Sequence, residues 1–407
     1  MFGLGQKKYR PVQDWIRQLG TSHYDSAQAV SVSRDGSIFI AGTSTGQIGD
    51  EKQGQEDAWL AKFTATGEQV WLDQLGSSAA DSACTVSADS RGYVYIAGTT
   101  SGQIGDTANA GGEDAWMAKY DGDGKRLWIV QVGSSSNDHA YAIDTDLDGN
   151  IYMAGTTFGA LEEGKEGGDQ DAWIAKFNSD GQQIWLRQLG SSDHDTANAI
   201  AADDEGNVII GGYSTGERNR AWISKFDSEG KVLWTQEIGH DHDDRAHAVT
   251  VDVMGNVYVA GTTSGRMKAF ASKGGVDAWV GKFSPLGKRL WLHQLGSVAH
   301  DQAFAVSVSL HGEVYVAGST SGDLDGEGGD QKSGDVDAWV AKYDNNGKRV
   351  WTHQLGTVGR DHAYGLATDA HGNFYVAGAT SGSLSGDDEN LGGYDAWVAR
   401  YHEEAVK

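Results

Sequence analysis

The sequence predicts an all-β chain, a seven-bladed β-propeller of four-stranded antiparallel blades. Three observations carry this: seven copies of one unit, four short strand signals in each copy, and a first strand that belongs to no unit of its own. Trp15, Trp71, Trp128, Trp185, Trp234, Trp291 and Trp351 each open a W-x-x-Q/E segment that ends in glycine, at spacings of 56, 57, 57, 49, 57 and 60 residues. A second set, Trp59, Trp116, Trp173, Trp222, Trp279, Trp339 and Trp397, sits in Asp-Ala-Trp or, once, Arg-Ala-Trp. Self-similarity at this period overrides the two or three domains that 407 residues would otherwise suggest.

The sixth copy shows the elements in order. "AFAVSVS" is strand A and "EVYVAGST" strand B, joined by the turn "LHG"; after a long polar loop come strand C, "DAWVAKYD", the turn "NNG" and strand D, "KRVWTHQLG". These segments are rich in Val, Tyr, Trp and Ile and bounded by glycine turns, which suits strands, and none has a 3.6-residue period. A four-stranded unit cannot bury both faces alone, so seven of them close into a ring. The seventh copy has A, B and C ("HAYGLATD", "NFYVAGAT", "DAWVARY") but no D, whereas the chain opens with a lone D, "VQDWIRQLG". The N-terminal strand is therefore expected to complete the last blade and hide its open edge. This divides the chain into a tail at 1–11, one propeller domain at 12–401 and a tail at 402–407.

Composition narrows the function classes. A formal net charge of −25 repels nucleic acid and anionic membranes at long range. No apolar run is long enough to span a bilayer, so no membrane insertion is expected. The start "MFGLGQKKYRPVQDW" lacks an apolar h-region, which points to a cytoplasmic chain or one exported without a leader. The one cysteine, Cys84, excludes an intramolecular disulfide.

Comparing the copies separates scaffold from decoration. Asp25, Asp81, Asp138, Asp195, Asp244, Asp301 and Asp361 stand five residues after the glycine that ends strand D. A residue needed seven times reads as a hydrogen-bond device in the D–A turn rather than as a ligand-binding ring. The glycines at 42, 98, 155, 212, 261, 318 and 378 mark a bend or a close backbone approach in strand B. Variation falls elsewhere. Between the small residues of strand A stand Gln28, Cys84, Tyr141, Asn198, His247, Phe304 and Tyr364, and one step after the aspartate stand Ser26, Ser82, His139, Thr196, Arg245, Gln302 and His362. By simple alternation the two rows share one side of the strand, so His139, Tyr141, Arg245, His247, Phe304, His362 and Tyr364 would line a funnel on the face carrying the D–A and B–C loops. Arg360, and Arg218 and Arg220 in the shortest B–C loop, "STGERNRAW", add positive charge to that face.

The segment "GHDHDDRAHA" offers His240, His242 and Asp243 as ligands for a divalent metal, with a solvated acidic loop paired with Arg218 or Arg220 as the simpler reading. "DTDLDGNIYMAG" has Asp144, Asp146 and Asp148 at calcium-loop spacing but glycine where the loop needs glutamate, and reads better as a hairpin turn. No phosphate-cradling loop is present, and no aspartate–histidine–serine set stands out from the repeats.

The units, with "GNVYVAGTTSG" and "DAWVAKF" in recurring order over residues 12–401, resemble the seven-bladed β-propeller repeat family, SBBP. The resemblance implies the fold and no catalytic residues; the family is a structural class often found in bacterial surface or multidomain proteins. "AKYDGDGKRLW" is also similar to the tryptophan-docking segment of quinoprotein propellers, a device that packs blade on blade. Seven units and a single cysteine argue against a quinone, and no cofactor is expected. The reading is a non-enzymatic module that holds a protein partner on the D–A/B–C face and channel mouth. The alternatives are a metal-dependent hydrolase or lyase using histidines of that face, or a glycan-binding module, which would need exposed tryptophans.

Overall fold

The computed structural model describes residues 8–49, 52–165, 169–191, 193–216, 219–239, 242–267, 274–324, 334–384 and 390–406. Among these residues every regular element is a strand, and the strands form seven four-stranded antiparallel sheets. No helix among them is long and apolar enough to cross a membrane. Six blades follow the chain from A to D. The seventh is ordered Tyr9–Leu19, Asp395–Ala405, Phe374–Thr380, Asp361–Thr368, so the first strand of the chain is its outer strand. Its register copies the continuous blades: Trp15 stands opposite Arg400 as Trp71 stands opposite Lys62. The pairing runs from Tyr9 and Ala405 to Leu19 and Ala396, so residues 9–11 and 402–405 are strand.

The core lies between blades. Strands B and C are buried on both faces, and Trp59, Trp116, Trp173, Trp279, Trp339 and Trp397 are among the largest fully buried side chains. The strand-D tryptophans join neighbouring blades. The rings of Trp15, Trp71, Trp185, Trp234 and Trp291 lie so close to Gly67, Gly124, Gly230, Gly287 and Gly347 of the next blade's C–D turn that a Cβ there would sit 2.7–3.0 Å away. Their indole N–H groups donate to carbonyls of those turns at 3.0–3.3 Å. The last blade has no C–D turn, because its C and D strands come from opposite ends of the chain. There the Glu403 carboxylate accepts from Trp351 Nε1 at 2.7 Å and from Lys342 Nζ at 2.6 Å.

The recurring polar residues are scaffold. In six D–A turns the aspartate accepts the backbone N–H of the residue four before it, Thr21, Ser77, Ser134, Ser191, Ser297 or Thr357, at 2.5–2.7 Å. It also accepts that residue's hydroxyl. In strand D the glutamine amide donates to the Asp-Ala-Trp carboxylate at 2.6–2.9 Å, as from Gln74 to Asp57 and from Gln294 to Asp277, and its carbonyl accepts loop N–H groups. The fourth copy exchanges both members of this pair. Arg220 replaces the aspartate, Glu237 replaces the glutamine, and they face each other at 3.9 Å.

Candidate binding site at the channel mouth

Each A–B strand pair slips by one residue at the same place, leaving Gln28, Cys84, Tyr141, Asn198, His247, Phe304 and Tyr364 without a partner. Such a bulge re-aims the extra side chain. The strand-B glycine opposite is required by it: a Cβ on any of Gly42, Gly98, Gly155, Gly212, Gly261, Gly318 or Gly378 would lie 1.7–1.9 Å from the carbonyl oxygen two residues before the bulge. All seven bulged residues line a central cavity of about 420 Å³. The seven D–A aspartates do not line it.

Simple alternation therefore fails at the bulge. The bulge separates the two variable rows: the bulged row enters the channel, while Ser26, His139, Arg245, His362 and their equivalents do not line the cavity. The rows still touch. The His139 ring meets Tyr141, whose hydroxyl is 3.1 Å from His139 Nδ1, and the His362 ring stacks on Tyr364 at 5.5 Å between centroids. His247, Phe304 and Tyr364 from three consecutive blades form an unbroken aromatic wall, with centroids 5.8 and 5.6 Å apart. The exposed Arg245 guanidinium lies 4.7 Å from the Tyr213 ring centroid. Arg360 is exposed in the D–A turn before the seventh blade. Val298 and Val358, 89% and 90% exposed, stand in the last two D–A turns where Ser22, Ser78 and Ser135 stand in earlier ones.

Arg220 is not part of this group. It sits on strand C, with strand B between it and the channel, and pairs with Asp193 at 3.4 Å as well as with Glu237. Arg218 and His240 lie outside the described residues. His242 is exposed, and the Asp243 carboxylate accepts the Asn219 N–H at 3.3 Å. Among the described residues no three His, Cys, Asp or Glu side chains gather as metal ligands. Asp146 is occupied by its hairpin, accepting from Asn150 N at 2.8 Å and Asn150 Nδ2 at 2.7 Å. In two G-x-S-x-G strings, 42–46 and 212–216, the serines Ser44 and Ser214 donate to Asp25 and Asp195, as Thr320 does to Asp301. They are scaffold too.

A third variable row escapes the sequence reading. The residue before each Asp-Ala-Trp reaches the mouth: Glu113 lies 3.0 Å from His139 Nε2, Gln170 Nε2 donates to Thr196 Oγ1 at 2.8 Å, and Tyr394 meets the His362 ring. Its signal was available, since this position reads Glu56, Glu113, Gln170, Asn219, Val276, Val336, Tyr394 around the ring. The mouth is thus acidic at the first two copies and apolar at the last three.

Burial, with a smaller push from Arg245, holds the His247 imidazole down to about 4. Burial likewise lowers His293, His353 and His362. Such histidines take up protons more readily in the unfolded chain. Their contribution to stability is complete above pH 6.5, the ordinary value, and for His247 is lost as the pH falls toward about 4. Acidification over that window is expected to lower the melting temperature of the native protein more steeply than that of His247→Asn. Parallel melting curves would contradict the placement of His247.

A family profile described as the β-propeller repeat, SBBP, matches residues 14–50, 127–161, 184–217, 233–266 and 350–384. Five of the chain's seven repeats are SBBP β-propeller repeats. Each matched stretch runs from a strand-D tryptophan segment through strand B, and so contains the D–A aspartate, the bulge and its glycine. Among curated proteins it is similar to the regulatory protein FlaEY of Caulobacter vibrioides, 24% identical over 206 residues, 45% of this chain. The match covers 21% of that protein's length. Among solved structures it is similar to the hydrazine synthase of Kuenenia stuttgartiensis, with a TM-score of 0.56 and 11% identity over 88% of this chain and 94% of that one. A protein of unknown function from Dyadobacter fermentans superposes with a TM-score of 0.48 and 10% identity, over 97% and 99% of the two chains. At such identity the hydrazine synthase structure speaks to the fold alone.

Proposed function

We propose that this repeat protein is a non-catalytic binding module that engages a protein partner through the D–A/B–C face and the channel mouth. The observation that carries the reading is where the sevenfold symmetry breaks. The scaffold carboxylates are consumed by bonds within the blades, while the aromatic wall His247–Phe304–Tyr364, the guanidinium groups of Arg245 and Arg360, and the rings of His139, Tyr141 and His362 surround one opening. Aromatic residues and arginines are the usual anchors of protein interfaces, and Val298 and Val358 extend the apolar part of this face. Likeness to a regulatory protein supports the same reading. Arg220, tied to Asp193 and Glu237, would sit at the rim.

Changing Arg245, His247, Phe304 and Tyr364 together to alanine is expected to weaken partner binding by at least ~100-fold while the fold persists, since anchors each contribute about 2 kcal/mol or more. Lys125→Glu and Lys348→Glu, in C–D turns on the opposite face, should change little beyond association rate. Binding lost with the lysine variants and kept with the alanine set would reverse the assignment.

A further inference from the structure

The inner rim of the mouth has two unlike halves. It is built at the seven junctions between blades, where the residue before one Asp-Ala-Trp strand, or before its Arg-Ala-Trp counterpart, meets the D–A turn of the next blade. At six junctions that residue's carbonyl accepts the N–H of the next blade's D–A aspartate at 2.6–2.8 Å, which fixes the two segments side by side. At the junction of the fourth and fifth blades the Asn219 N–H donates to Asp243 instead.

Apart from the scaffold aspartates, four consecutive junctions carry a carboxylate: Glu56, Glu113, Asp193 and Asp243. Glu56 is half-buried and has no cationic partner among the described residues; burial, with a smaller push from Asp81, raises its carboxyl above the ordinary value. Asp243 is exposed, Glu113 faces His139, and Asp193 shares Arg220 with Glu237. The other three junctions carry Val276 with Val298, Val336 with Val358, and Tyr394 with Tyr24, whose rings lie 5.7 Å apart. The charges of this half are Arg360 and, one residue before Val336, Asp335. From Tyr24 the rings continue inward without a break: Tyr394 meets His362 at 6.2 Å, His362 stacks on Tyr364, and Tyr364 joins the channel wall.

We infer that the mouth takes a polypeptide segment in one orientation, its apolar side chains on the valine–tyrosine arc and its lysines or arginines toward the carboxylates across the opening. The inference rests on the protein-binding reading above and names that partner by its chemistry, a basic segment with an apolar end. Charge complementarity selects this occupant. A net charge of −25 repels an acidic partner, and a second copy of this chain, at long range and draws in a basic one. The arc supplies anchors that lose water on binding, while carboxylates at the wet rim set orientation and association rate.

The test selects binders to the full chain from a displayed library of random dodecapeptides and measures the selected peptides by calorimetry. Selected sequences are expected to join an apolar run to lysine or arginine at one end of it. Glu56→Gln combined with Asp243→Asn should weaken them ~5-fold at low salt and far less at high salt, because exposed ion pairs are screened. Val298→Ser combined with Val358→Ser should weaken them ~10-fold at either salt concentration. All four side chains are exposed or half-buried, so melting curves of both double variants should overlay that of the native protein. Failure to select any family, selection of acidic peptides, or peptides indifferent to either double variant would overturn the inference. A dimer of the chain alone that the valine variant breaks would assign the arc to a second copy and overturn it too. Acidic peptides lost in the four-residue alanine variant would sink the polarity and leave the protein-binding reading standing. Basic–apolar peptides that the alanine variant holds as well as the native chain would instead sink the channel-mouth anchors and leave the polarity.

Discussion

A chain lacking residues 1–20 is expected to melt at least ~10 °C lower than the intact protein, or to aggregate, because removing one large buried aromatic costs about 3–5 kcal/mol and each kcal/mol moves the midpoint by a few degrees. Three losses coincide. The outer strand of the last blade goes, and the Asp395–Ala405 strand becomes an open edge of unpaired N–H and C=O groups. Trp15 goes with it, and so does its bond to Ala65 O and its packing on Gly67, which join the seventh blade to the first. Asp14, held between Arg400 at 3.2 Å and His402 at 2.7 Å, is removed from the same strand pair. A permuted chain that starts at Thr21 and carries residues 9–20 after Ala405 through a short glycine turn should recover most of the stability. Melting that is unchanged by the deletion would mean the ring does not depend on its closing strand.

Gly318→Ala is expected to cost about 3 kcal/mol or more, at the upper end for adding one methyl group to a packed interior. Its Cβ would lie 1.8 Å from Gln302 O and 3.0 Å from Ala303 Cα, both backbone atoms of a strand fixed on either side. The clash is relieved only by reversing the bulge that aims Phe304 into the channel, so binding and stability should fall together. Gly372→Asn is the contrast. That glycine has a φ of +86° in an A–B turn, with nothing within 4 Å of a built Cβ, and asparagine tolerates the conformation at about 1 kcal/mol. Equal melting temperatures for the two variants would remove the bulge from the account.

The fold was legible because its determinants repeat. Trp15 without a unit and Trp397 without a following strand could be matched from the sequence alone, and sevenfold recurrence identified the D–A aspartates and strand-B glycines as scaffold. The site was half legible. Variation marked Tyr141, His247, Phe304 and Tyr364, but period-two alternation cannot show a one-residue bulge, so the channel row and the mouth row merged into one. Glu403 was hidden because it does a backbone carbonyl's work with a side chain, once, in a segment that read as tail. Glu237 was visible in principle: the one copy with arginine before Ala-Trp is the one with glutamate in strand D. Asp144 looked like part of a turn motif because sequence proximity to Asp146 and Asp148 conceals that it points into the channel, toward other blades.

Hydrogen exchange of the protein with and without its partner tests the central claim most directly. A partner recovered by affinity from native extract and then purified would serve. The account predicts slowed exchange at the entrances to strand A, around 139–141, 245–247, 302–304 and 360–364, and in the B–C segments that precede the Asp-Ala-Trp strands. Protection confined to the A–B and C–D turns, such as 34–36, 65–67 and 122–124, would place the partner on the opposite face and contradict it.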